Sequence, residues 1–137
     1  MTDTPIRTDL SPEGAPDPGA VHGWVAAYFE GTRAMDAERW VRAFAPDARV
    51  DDPVGTPIKT GPDEVMAMGK GFLEAFETVG LRESFVHVVG LEAVARWQGR
   101  GIAKTGERVT FEGINHFTFA EDGKIKELRG FFAPPAG

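Results

Sequence analysis

The chain has 137 residues, 26% of them charged, a formal net charge of -6 and no cysteine. That length suits one domain able to bury a core without staples, the missing cysteines exclude disulfides and thiolate chemistry, and an acidic balance with no basic run argues against nucleic acid as a partner. No apolar run approaches the roughly 18 to 20 residues of a membrane span, and no basic-then-apolar segment opens the chain, so neither membrane nor signal peptide is expected and a cytoplasmic address follows by default.

Residues 1–19, "MTDTPIRTDLSPEGAPDPG", are rich in Pro, Gly, Asp and Thr without apolar period, and read as a flexible tail before one domain over 20–137. After the Asp17-Pro18 start signal, Val21, Trp24, Val25, Tyr28, Phe29, Thr32 and Met35 fall on one helix face, with Tyr28 in the middle of the buried stripe. A shorter helix is predicted over "DAERWVRAF", with Trp40, Val41 and Phe44 inward and Pro46 ending it. "ARVDDPV" reads as a strand closed by Pro53. The Gly61-Pro62 signal opens a third helix, "PDEVMAMGKGFLEAFETV", with Val65, Met68, Phe72, Leu73 and Phe76 at helical spacing.

From there the pattern changes to strands: "SFVHVVGL", "AVARWQGRGIA", "RVTFEGINHFTFA" and "KIKELRGFF", punctuated by turn chemistry at Lys104-Thr105-Gly106-Glu107 and Glu121-Asp122-Gly123. Helices first and strands afterwards predict an α+β layer, three helices on one face of a curved, mainly antiparallel sheet, not alternating βαβ units. Gly99-Arg100-Gly101 lies inside a strand with no helix following, so it is no phosphate loop.

Strand alternation separates the two acids of "VDDPVG". Asp52 shares a face with Val50, and Asp51 points the other way, toward solvent. Asn115 shares its face with Phe117 and Phe119, so an amide is predicted inside. Tyr28 brings the only phenol. Three polar groups from three elements are thus expected to converge on one apolar cavity, although each has a plain structural role open to it: strand end for Asp52, core residue for Tyr28, backbone partner for Asn115. His22, His87 and His116 have no metal-like spacing, and no cofactor or metal is expected.

With Tyr28 in the first helix, "AFAPDARVDDPVG" after it, "INHFTF" and a terminal "LRGFFAP", the chain resembles the Δ5-3-ketosteroid isomerases of the NTF2-like superfamily, whose fold is a cone-shaped α+β barrel. The resemblance implies a cofactor-free allylic isomerisation of a cyclic 3-oxo compound through a dienolate. Asp52 falls on the general base and Tyr28 on the oxyanion-hole tyrosine, a pairing for which these isomerases are the standard worked example. Asn115 stands where the family has a protonated aspartic acid. An amide N–H is a weaker donor, so the exchange is expected to cost on the order of 1 to 2 kcal/mol, roughly ten- to thirtyfold in rate. Gly69 stands where some members carry a supporting tyrosine.

Val54, Met68, Phe117, Leu128 and Phe132 are expected to line a cavity for an apolar, steroid-sized ligand, while the face shown by Trp97 or Arg100 stays open. A homodimer through the convex sheet face is a further implication. Two alternatives accompany this reading. "RWQGRGIAKTGERVTFEGI" looks like the hairpin of SnoaL-like polyketide cyclases, although "LRGFFAPPAG" lacks their acid on the last strand. A non-catalytic small-molecule-binding NTF2-like domain would keep the cavity without the chemistry.

Overall fold

The computed structural model describes residues 17–133; most of the predicted tail lies outside them. Helix α1 (Pro18–Arg33) starts where Asp17 accepts a hydrogen bond from the Gly19 N–H at 3.0 Å, and buries Val21, Val25, Tyr28, Phe29 and Thr32. Met35, expected on the same stripe, comes after the helix end with a φ of 55° and is exposed. Helix α2 (Ala37–Val41) is capped by Asp36, which accepts from the N–H groups of Glu38 and Arg39.

Several boundaries differ from those the sequence predicts. Helix α2 does not reach Phe44; the chain instead enters strand β1 (Phe44–Asp51), which takes in Pro46. Proline is tolerated there because the pairing of β1 with its neighbour slips between Phe44 and Arg49, so the missing N–H breaks no regular ladder. Strand β2 (Lys59–Thr60) is too short to show a period. Helix α3 (Gly61–Glu74) stops five residues short of the predicted end, at Glu74, and Phe76 to Val79 begin strand β3 (Phe76–Val89). Phe76 and Val79 fit the helical spacing, but strand pairing opposite Ala103 and Gly101 captures them.

Strands β4 (Glu92–Ala103), β5 (Arg108–Phe119) and β6 (Ile125–Phe131) complete the sheet, in the order β2-β1-β6-β5-β4-β3. Every pair is antiparallel except β1 with β6, so the chain forms an open, mixed sheet of the NTF2-like α+β type with the helices on one face. Gly106 and Gly123 both have a φ of 89° and make the two predicted hairpin turns. The inner face of the sheet presents Val50, Ala93, Ala95, Trp97, Phe117, Phe119 and Leu128 to Val21, Val25 and Phe29 of α1, all buried. Burying each large side chain of this set contributes about 1.5 to 3 kcal/mol.

Candidate active site

Asp52 follows directly on β1. Val50 is fully buried, so alternation turns the Asp52 side chain to the inner face as well. A glycine makes room for it: a Cβ at Gly130 of β6 would overlap the Asp52 carboxylate. The next segment is tied to the same strand, with the Val54 N–H donating to the Gly130 carbonyl at 2.8 Å. Lys59 Nζ donates to the backbone carbonyl of Asp52 at 3.2 Å and to Thr56 Oγ1 at 3.0 Å, which brings one cation near the acid.

Sheet register sets the second group. Asn115 of β5 lies opposite Gly130 on one side and Ala95 of β4 on the other, which puts its side chain next to Asp52. Two residues after Ala95, Trp97 points inward too, and its Nε1–H donates to Asn115 Oδ1 at 3.0 Å in a buried hydrogen bond. An indole N–H can only donate, so the amide oxygen is held there and the NH2 group is the end turned toward Tyr28 and the cavity.

The third group comes from α1. Tyr28 is 1% exposed and is fixed by edge-to-face contacts with Phe29, Trp40, Phe44 and Phe117 at centroid distances of 5.0 to 6.2 Å. Burial pushes its hydroxyl well above the ordinary phenol range, the charge of Asp52 adds to this, and the Trp40 indole and Asn115 amide beside it offset part of the shift. Tyr28 is therefore a proton-bearing donor at every physiological pH.

Tyr28, Asp52 and Asn115 line one cavity of about 130 Å³, with Trp40, Trp97 and Phe132 among its aromatic walls and Pro53, Met68, Phe72 and Leu81 completing it. Among the described residues, two buried side-chain atoms lack any hydrogen-bond partner, Asp52 Oδ1 and Trp40 Nε1, and both residues are in this wall. A buried unpaired polar group costs about 1 to 3 kcal/mol. Burial, foremost, raises the Asp52 carboxyl to about 6; Lys59 holds it down and the charge of Asp51 adds slightly to the rise. The arrangement joins a poorly solvated carboxyl group with neutral donors across an apolar space.

Asp51 differs from its expected role as a free surface charge. It does leave the inner face, but it is only 9% exposed and is ion-paired with Arg129, its register partner on β6, at 3.4 Å. The guanidinium lies over the Phe131 ring at 5.2 Å, so alternation predicts the face while the neighbouring strand supplies the cover.

Of the expected lining, Met68 and Phe132 are in the wall. Val54 is 38% exposed and outside it. Phe117 and Leu128 are fully buried partners in register behind it, Phe117 bracing Tyr28 from the core. Trp97 faces the cavity and Arg100 the outer side of the sheet. Sequence reasoning does not single out Trp97 as a hydrogen-bond donor, although its parity with Ala93 and Ala95 marks the inner face.

A cavity-bearing α+β domain with polar groups at one end has the form of a small-molecule site. The chain belongs to the SnoaL-like domain family, whose model matches residues 25–128. Among solved structures it is similar to the epoxide hydrolase/cyclase-like enzyme SalBIII, described for its role in pyran ring formation in the polyether salinomycin. The TM-score is 0.77 at 21% identity, covering 86% of this chain and 94% of that one, a likeness of fold. No curated protein matches in sequence. Among the described residues no helix is long and apolar enough to cross a membrane, and no three His, Cys, Asp or Glu side chains gather as metal ligands do.

Proposed function

We propose that this site enolises a cyclic 3-oxo compound and moves its double bond into conjugation, as a ketosteroid-isomerase-like enzyme. The Asp52 carboxylate takes a proton from the carbon between the carbonyl and the isolated double bond, and the electron pair of the broken C–H bond spreads onto the oxygen as a dienolate. Tyr28 O–H and the Asn115 NH2 group donate to that oxygen, where the charge develops. Asp52 then returns the proton to the far end of the diene, giving the conjugated enone with no cofactor and no net consumption of acid or base.

The observation that carries this reading is the unpaired, buried Asp52 Oδ1 in the same cavity as two neutral donors. A desolvated carboxylate raised to about 6 suits a base that must both take and give back a proton near neutral pH. The assay follows conjugated enone formation from a β,γ-unsaturated cyclic ketone. Wild type is expected to exceed Asp52→Asn by about a thousandfold or more, in line with loss of an acid–base group together with its charge. Equal rates would remove the reading.

The second reading is a SnoaL-like cyclase. Family membership and the likeness to an epoxide hydrolase/cyclase-like enzyme favour it. Ring closure onto an epoxide or an aldol acceptor is best served by one group that donates a proton and another that removes one. Asp52 is the single carboxylate around the cavity among the described residues, which suits a shuttle better than an acid–base pair. Closure of an open-chain hydroxy-epoxide faster than isomerisation of the enone precursor would favour the cyclase.

A homodimer through the outer face of the sheet completes the proposal. Phe85, Ile114 and Phe131, at 59%, 45% and 44% exposure, fall in one cross-strand row with Arg96. Sedimentation equilibrium is expected to give twice the chain mass for wild type and the monomer for Ile114→Lys.

A further inference from the structure

We propose that the cavity takes a substrate of a single ring, a cyclic enolisable ketone about the bulk of cyclohexenone, and refuses fused polycycles. This rests on the enolising reading of the site and gives it a substrate class.

The space itself carries the inference. A cavity of about 130 Å³ is close to the roughly 150 Å³ apolar hole that accepts one benzene. It is less than half of the roughly 300 Å³ at which clefts for drug-sized ligands begin. A tetracyclic skeleton cannot be enclosed there unless the walls move.

Those walls are wedged. Trp97 and Phe132 meet edge-to-face at 5.3 Å over Gly113, where a Cβ would lie 2.5 Å from the Trp97 ring and 2.7 Å from Phe132 Cβ. Behind them Phe111 covers Gly99, with a Cβ there only 2.7 Å from its ring, and stacks on Phe76 at 6.1 Å and 9°. Phe72 closes the group at 5.4 Å from Phe76. These rings fill the region between α3 and strands β4 and β5, the side on which a longer ligand would need room. With two aromatic rings seated directly on two glycines, neither ring can retreat toward the sheet. Close-packed interiors resist such displacement, and forcing extra bulk into them costs affinity steeply. At the other end Tyr28, Asp52 and Asn115 supply the polar contacts, so one ring with one carbonyl spans the space between donors and plug.

The test titrates phenol, 2-naphthol and a phenolic steroid, all imitating the enolate oxygen, into the full chain by calorimetry, with the indole N–H resonances watched in parallel. Phenol is expected to bind wild type at least about tenfold more tightly than 2-naphthol, with no binding of the steroid. Phe132→Ala is expected to reverse the order of phenol and naphthol, and Phe132→Leu to narrow the gap without loss of fold. Wild type binding the steroid as tightly as phenol overturns the proposal, whatever the variants do. Tyr28→Phe separates this from the enolising reading. If phenol keeps its affinity in that variant while naphthol stays at least about tenfold weaker, ring selection stands and the oxyanion hole falls. If the steroid binds wild type tightly and loses affinity in Tyr28→Phe, the oxyanion hole stands and ring selection falls.

Discussion

The Trp97 indole N–H donates to Asn115 Oδ1 at 3.0 Å inside the protein, and this bond decides which end of the amide faces the cavity. Asn115 serves as an oxyanion donor only with its NH2 group free, and a flipped amide would aim a lone pair at the developing charge. Trp97→Phe keeps most of the aromatic packing and removes the lock. Its expected effect is a fall in kcat of about tenfold with KM nearly unchanged, the size of one neutral hydrogen bond realised in the transition state. Steady-state kinetics on the enone precursor, with near-UV circular dichroism to check packing, reads it. A change confined to KM would assign Trp97 to the wall alone.

In the proposed reaction Asp52 works as the carboxylate, and burial raises its carboxyl to about 6. The pH profile of kcat/KM is therefore expected to rise through about pH 6 and stay flat through neutral pH, because Tyr28 is pushed upward and keeps its proton. Lys59 is the cation that restrains the rise, through its place beside the Asp52 carbonyl. Lys59→Met should move the ascending limb to higher pH, leaving the plateau rate similar. A limb that stays in place would show that solvent screens the ammonium from the carboxylate.

What was legible in the sequence follows from which physical signals are local. Period-2 alternation puts Asp52 beside Val50 and Asn115 beside Phe117, and helical spacing puts Tyr28 on the inner face, since each depends only on near neighbours in the chain. The end of α3 is not local: Phe76 suits a helix stripe equally well until Ala103 pairs with it. The cover over Asp51 comes from Arg129, 78 residues away. Cavity size is the least legible quantity, because it depends on how Trp97, Phe111 and Phe132 settle over glycines from different strands. An apolar composition fits a large pocket and a filled one alike.

The raised carboxyl also has a stability consequence. A folded-state value near 6 against an ordinary 3.8 means the folded protein binds this proton more tightly than the unfolded chain. Stability is then lost as pH rises through the window from about 4 to 6, and the loss is complete above it. Its size is on the order of 2 to 3 kcal/mol. Asp52→Asn cannot ionise, so it is expected to be more stable than wild type by about that amount at pH 8, with the difference shrinking toward zero below about pH 4. Urea unfolding at both pH values measures it. A variant less stable than wild type at pH 8 would mean that the carboxylate finds compensating contacts on ionisation.

Gly130 is the position where sequence, packing and chemistry meet in one atom. It lies opposite Asn115 in register, accepts the Val54 N–H at 2.8 Å and leaves the space that the Asp52 carboxylate fills. Its φ is not positive, so the requirement is room, not backbone freedom. In Gly130→Ala the new methyl must displace the carboxylate, since the other neighbour, Asn115 Oδ1 at 3.2 Å, is held by Trp97. A base moved by about 1 Å loses on the order of a hundredfold in rate. The strand remains a strand, so the variant is expected to fold with wild-type circular dichroism while kcat falls by about that factor, and phenol affinity should fall much less because its donors stay in place. Full activity in Gly130→Ala would show that the Asp52 carboxylate reaches the substrate from a rotamer in which it does not touch β6.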